Sequence, residues 1–243
     1  MKTNLYLPLL FLSTILFTSC EKDWLDVVKG SGPVVSETRS VASFDDIELN
    51  IPAEVYIIQG ENESITIDAQ ANVLDVVETN VNRHELKIKF SNGVVVKRYE
   101  TIRVYITTNE LTEISVSGSG SVYNDSPIIT NELRLRISGS GKVDLYDVDA
   151  SIIDSKISGS GNVYLTGVCD DQFISISGSG DIKAFDMISE NTEVDISGSG
   201  KGEVRVNNLL KARISGSGKV YYKGYPHHID SKISGSGGVY HVD

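Results

Sequence analysis

The chain is poor in the residues that staple or ligate small proteins. Its 243 residues include two cysteines, Cys20 and Cys169, and four histidines. That is too few for a disulfide scaffold or a Cys/His zinc module. Positive charge is also short, with 22 Lys plus Arg against 33 Asp plus Glu and a formal charge of −11. Nucleic acid and anionic membrane surfaces select clustered positive charge, so neither is expected as a partner. The apolar run from Leu5 to Phe17 falls short of the roughly 20 residues that a spanning helix needs. Hydrophobic residues still make up 40%, enough for a packed core and too many for a disordered chain. Five prolines stand against 22 glycines, and the glycines are unevenly spread.

The N-terminus reads as an address. Lys2 precedes the apolar run, which gives way to Thr18-Ser19-Cys20. A basic start, a short apolar core and small residues predict a secretory signal over residues 1–19. Cys20 after Thr18-Ser19 resembles the lipobox of bacterial lipoproteins, although Phe17 stands where Leu is usual. That resemblance implies acylation of Cys20 and a membrane attachment through lipid alone. Glu21-Lys22-Asp23 resembles the acid-rich signals that send some Gram-negative lipoproteins to the outer face, which implies a surface-exposed outer-membrane lipoprotein. Residues 20–33 contain Trp24 and Lys29-Gly30-Ser31-Gly32-Pro33 and predict a flexible tether. With Cys20 lipidated, Cys169 has no partner in its own chain and reads as a small buried apolar residue.

The repeat decides the architecture. Ser-Gly-Ser-Gly begins at Ser117, Ser138, Ser158, Ser177, Ser197, Ser215 and Ser234, at intervals of 21, 20, 19, 20, 18 and 19 residues. A near-constant period of this size marks a repeat fold. Val116, Ile137, Ile157, Ile176, Ile196, Ile214 and Ile233 precede the motifs. Val122, Val143, Val163, Ile182, Gly202, Val220 and Val239 lie two residues past them. Period two on both sides of a glycine punctuation is strand–turn–strand. A unit of this size cannot bury its own apolar face, but stacked copies can. Residues 117–243 therefore predict a right-handed parallel β-helix of about 20 residues per rung, with rungs about 4.8 Å apart. An array of antiparallel blades would want longer and more even intervals.

Residues 34–116 lack the motif but keep the alternation. Strands are expected near 47–49, 54–59, 64–69, 85–90 and 101–107, with a helical turn over 71–78. This half reads as β-rich early rungs or a cap, continuous with the repeat. Phe44-Asp45-Asp46-Ile47 leads into Glu54-Val55-Tyr56-Ile57-Ile58-Gln59-Gly60. Val104-Tyr105-Ile106-Thr107 then leads into the iterated Ile-Ser-Gly-Ser-Gly. Together these resemble the putative auto-transporter adhesin head GIN domain family of secreted bacterial proteins, over roughly residues 35–243. The resemblance implies a β-helical, surface-exposed, non-enzymatic protein that acts in attachment.

Chemistry-bearing motifs are weak. Gly139-Ser140-Gly141-Lys142 lacks Walker spacing and a following helix, and no Gly-x-Ser-x-Gly elbow exists. His84, His227, His228 and His241 have no metal-ligand spacing with a carboxylate. Only Asp181 directly follows a motif, which does not make a calcium nonapeptide. No catalytic residue, metal or cofactor is expected. A polysaccharide lyase or hydrolase on the same scaffold is the alternative, and it would need carboxylates converging across rungs. Asp144, Asp154, Asp181, Asp186, Asp195 and Asp230 sit at differing offsets and read as solvated surface acids. A self-assembling scaffold without ligand is a third reading.

One constellation points to binding. The third residue past each motif is Tyr123, Asp144, Tyr164, Lys183, Glu203, Tyr221 and Tyr240, facing outward by alternation. Tyr146 and Phe185 lie two residues further along. Outward aromatics on a rigid stack suit the apolar faces of sugars, so a glycan, extracellular matrix or a cell-surface protein is the expected partner. A shielding ladder of rings resting on one another is the other reading of the same residues. The repeat also runs almost to Asp243 with no polar capping segment, so self-association through the last rung is expected.

Overall fold

The computed structural model describes residues 26–243; the signal segment, Cys20 and the acid-rich Glu21-Lys22-Asp23 lie outside the described residues. The first half is built from nine strands and one helical turn. These are β1 (Asp26–Lys29), β2 (Val34–Arg39), β3 (Asp46–Leu49), β4 (Ala53–Gln59), β5 (Ser64–Gln70), α1 (Ala71–Leu74), β6 (Val77–Asn82), β7 (Glu85–Phe90), β8 (Val94–Lys97) and β9 (Ile102–Thr108). The repeat half follows as β10 (Glu113–Gly118), β11 (Ser121–Asn124), β12 (Ile128–Gly139), β13 (Lys142–Gly159), β14 (Asn162–Gly178), β15 (Asp181–Gly198), β16 (Lys201–Gly216), β17 (Lys219–Lys223), β18 (His228–Gly235) and β19 (Gly238–His241).

The repeat half is a parallel β-solenoid of about 20 residues per rung. Every rung pairs in parallel with the next, and motif falls on motif: Ser138↔Ser158, Ser158↔Ser177, Ser177↔Ser197 and Ser197↔Ser215. The isoleucines before the motifs form one internal column, with Ile137, Ile157, Ile176, Ile196 and Ile214 no more than 2% exposed. Each such side chain contributes roughly 1.5–3 kcal/mol by leaving water. Corners show as breaks in the alternation. Along β13 the buried positions are Val143 and Leu145, then Val148 and Ala150, then Ile153, Ser155 and Ile157. Phase slips after Leu145 and after Ala150, and the motif makes the third bend. Three straight segments per rung result.

The motif works through its backbone. Gly159 has φ +131°, and a Cβ there would lie 2.5 Å from the carbonyl oxygen of Gly139 in the rung before. The second glycine faces inward: a Cβ at Gly161 would sit 2.5 Å from Ile137 Cγ2. Serine amides stitch the corner, as Ser160 N–H donates to Gly139 O and Ser179 N–H to Gly159 O, each at 2.9 Å. The motif serines themselves are exposed or half-buried at the surface.

The first half stacks out of chain order. β3 and β4 lie between β7 and β9 on one side and β10 and β11 on the other. The cause is a reversal at Gly60-Glu61-Asn62, which turns β5 antiparallel to β9, with β2 antiparallel on β5's other edge. β6 forms a hairpin with β7, so this end of the solenoid finishes in antiparallel strands. α1 is shorter than expected, and Val77 belongs to β6. The Arg39 guanidinium ties the two, donating to Leu74 O at 3.1 Å and Val77 O at 2.6 Å.

The tether expected over 20–33 is ordered from Asp26 onward. β1 pairs in parallel with β8, Asn72 Nδ2 donates to Lys29 O at 2.7 Å, and Gln70 Nε2 donates to Gly32 O at 3.0 Å. Gly30 permits the close approach, since a Cβ there would lie 2.6 Å from the Cα of Tyr99. The Gly/Ser/Pro composition that suggests flexibility here serves tight packing against the end of the solenoid.

Candidate functional site

Register places the outward position past each motif in one column. It runs Tyr105, Tyr56, Tyr123, Asp144, Tyr164, Lys183, Glu203, Tyr221 and Tyr240. Tyr123, Tyr164, Tyr221 and Tyr240 thus stand where the alternation puts them. Tyr56 and Tyr105 extend the column and were missed. Their signal is present in the sequence, since Val55-Tyr56 and Val104-Tyr105 repeat the inward–outward step of Val122-Tyr123.

The rings use their faces on one another. Tyr56 stacks on Tyr105 at 5.5 Å and 19° and on Tyr123 at 5.4 Å and 20°. Burial, followed by the charge of Glu54, pushes the Tyr56 phenol above its ordinary pKa. Lys142 Nζ then lies 5.1 Å from the Tyr123 ring centre and 4.8 Å from that of Tyr164, and it pairs with Asp144 at 2.6 Å. Burial pulls the Lys142 pKa down, but the Asp144 hydrogen bond and charge outweigh it and hold the ammonium above its usual value. Lys183 caps the other face of Tyr164 at 4.8 Å. Cations between rings replace missing aromatics, each contact worth about 0.5–1 kcal/mol at such exposure. Over this stretch the column presents ring edges and hydroxyls to solvent.

Tyr146 and Phe185 depart from the column. Register slips between Leu145 and Val148, and between Ala184 and Ile188, leave both at a corner without a ladder partner. Tyr146 is 46% exposed, its backbone held by Asn124, whose Nδ2 donates to Tyr146 O at 2.7 Å. Phe185 joins Tyr221 instead. With Lys201, Glu203, Lys223, Val242 and Asp243 these two line a concavity of about 390 Å³. Lys223 Nζ sits 5.2 Å over the Phe185 ring, Lys201 pairs with Glu203 at 2.8 Å, and Tyr240 stacks on Tyr221 at 5.4 Å. Phe185, Tyr221 and Tyr240 are therefore brought together, Tyr123 and Tyr164 flank Lys142, and Tyr146 stands apart.

Two further surfaces lie on the other faces. A groove of about 380 Å³ crosses the motif column, lined by Ser177, Ser197, Ser215 and Ser234 on one side and Asp195, Arg213 and Lys232 on the other. Its carboxylate is engaged by Arg213 at 3.6 Å. The remaining face carries an exposed apolar column of Ile129, Val168 and Ile188, in register through Asp149. Ile129 is 66% exposed while adjacent Ile128 is buried, and an apolar pair of this kind does not by itself say which member faces out. Cys169 beside Val168 is buried, as expected, and burial with the charges of Asp170 and Asp171 pushes its thiol up to about 12. No group of His, Cys, Asp and Glu among the described residues could hold a metal ion. No helix among them is long and apolar enough to cross a membrane.

Comparison with known proteins agrees with this fold. A crystal structure of a putative adhesin from Bacteroides fragilis superposes with a TM-score of 0.85 at 21% identity, covering 88% of this chain and all of that one. A putative lipid binding protein from Parabacteroides distasonis gives 0.77 at 25% identity, covering 90% of this chain and all of its own. A putative adhesin from Parabacteroides merdae gives 0.72 at 24%, with 90% of this chain and all of that one covered. No curated protein matches the chain. The family model described as "Putative auto-transporter adhesin, head GIN domain" matches residues 43–226, most of the repeat and the strands that lead into it. The chain belongs to that family.

Proposed function

We propose that this protein is a non-enzymatic attachment module, held at the outer membrane by lipid on Cys20 and facing outward. Membership of an adhesin-type family supports a cell-surface or exported protein. The observation that carries the binding reading is the concavity where Phe185 and Tyr221 meet Lys223 and the Lys201–Glu203 pair. An aromatic wall with charged groups at its rim suits a sugar, whose apolar face packs on rings while its hydroxyls bond to the rim. The polysaccharide-cleaving alternative needs two free carboxylates about a substrate apart. In these two concavities Asp195 and Glu203 are each paired with a cation, which leaves Asp243 as a single carboxylate without an ion pair among the described residues, one short of the two required.

The test is retention on glycan and matrix-protein arrays of the wild type against Phe185→Ser and Tyr221→Ser. Both positions are half-buried at the surface, so folding should persist by circular dichroism. A loss of about tenfold in retention is expected, equivalent to about 1.4 kcal/mol. Retention unchanged in both folded variants would remove the concavity as the binding site. Incorporation of labelled palmitate, abolished in Cys20→Ser, tests the anchor.

A further inference from the structure

The two ends of the solenoid differ. The first end finishes in antiparallel strands, β2 on β5 and β6 on β7. At the other, β18 pairs with β16 along one edge only among the described residues. Ser236 N–H donates back to Gly216 O at 2.9 Å, so Gly216 C=O points forward along the stack. Gly235 stands in register with Gly216, as do Ile233, Ser231 and Ile229 with Ile214, Ala212 and Leu210. The N–H and C=O groups of Ile229, Ser231 and Ile233 therefore face the open edge. Every residue of β18 is exposed, and Ile229 and Ile233 are each 42% exposed although they continue buried columns.

The strand that carries this edge, Ile229-Asp230-Ser231-Lys232-Ile233, is self-complementary. Turn a second copy about a two-fold axis through Ser231 and the strands run antiparallel. Ile229 then faces Ile233 of the second copy, Ser231 faces Ser231, and Asp230 faces Lys232 twice over. The residues whose backbone groups point outward fall opposite one another and exchange hydrogen bonds. Asp230 and Lys232 fall at the closer, non-hydrogen-bonded pairs, where side chains approach best. Neither forms an ion pair within its own copy among the described residues. Lys232 instead neighbours Arg213, a cation that is turned to Glu193 and Asp195.

We infer that the β18 edge is a two-fold interface with a second copy of this chain, formed by antiparallel pairing centred on Ser231. Such an interface is isologous, using the same patch on both copies, and it closes on itself. The pairing goes beyond the attachment reading and does not depend on it, since the aromatic concavity lies on a different face of the rung.

The experiment is sedimentation velocity of the full chain in detergent over a concentration series. A monomer–dimer equilibrium with no higher species is expected. Asp230→Lys and Lys232→Asp each set like charges opposite one another twice and should weaken the dimer at least ~10-fold. The double exchange restores both pairs and should recover the dimer to within about threefold, which a folding defect would not do. In a Cys20→Ser background, Ser231→Cys should cross-link two copies on mild oxidation, because the axis passes through that residue. A chain that stays monomeric, one that forms open polymers, or a dimer indifferent to both single reversals would overturn the inference.

Discussion

Substituting Gly159 by alanine probes the corner that every rung shares, and Gly118 supplies the matched control. Both glycines hold positive φ, +131° and +107° respectively, where an L side chain is strained. At Gly118 the space around an added Cβ is open to 4 Å. At Gly159 it would stand 2.5 Å from the Gly139 carbonyl oxygen and 3.2 Å from that residue's C and N. Backbone strain alone costs about 1–3 kcal/mol. The rung contact adds a further ~1–3 kcal/mol, because two rigid backbones must separate. Gly118→Ala should therefore cost ~1–3 kcal/mol and Gly159→Ala roughly 2–6 kcal/mol. For a chain of this length the steric difference lowers Tm by a further ~2–12 °C. Hydrogen exchange should localise it, since Ser160 N–H and Ser179 N–H bond across this corner and would lose protection first. Equal melting of the two variants would refute the claim that rung approach, beyond φ, demands glycine.

Two further predictions concern titrating groups. Cys169 is a neutral thiol at pH 8, with burial and neighbouring acids holding it up to about 12. In Cys20→Ser protein, a thiol reagent should fail to label it under native conditions and label it fully in urea; native stoichiometric labelling would contradict its placement. Burial, then the hydrogen bond and charge of Glu48, raises Glu85 above the ordinary carboxylate value. A raised folded pKa means the folded chain holds its proton more tightly, so this contribution is present at low pH and lost as pH rises through that value. Glu85→Gln should therefore raise the urea midpoint at pH 7 and change it little near pH 4. A larger gain at pH 4 would show the sign to be wrong.

How much of this was legible turns on locality. The isoleucine before each motif and the valine after it recur at the rung period, so their burial follows from stacking alone. The last copy shows the limit of that argument. Ile233 carries the same local sequence as Ile214 yet is 42% exposed, because among the described residues its strand β18 is paired along one edge only. In the first half strand positions could be read, but not their order in space. β5 meets β9 and β2 through antiparallel pairings that depend on a chain reversal rather than on a repeated register. Residues 26–33 misled for the same reason, since small residues suit both a free tether and a tight contact with Asn72 and Gln70.

The candidate site divides along the same line. Which tyrosines share a column is a matter of period and parity, and these are covalent properties of the chain. Whether a ring offers its face or its edge depends on what its neighbours place against it. Lys142 between Tyr123 and Tyr164, and Phe185 swung to a corner beside Tyr221, follow from side-chain packing across rungs and from register slips at bends. The repeat period together with alternation thus determined the solenoid and its faces. Only the folded stack decided which aromatics are consumed by each other and which remain open to a partner, because that choice is made by contacts between residues a full rung apart.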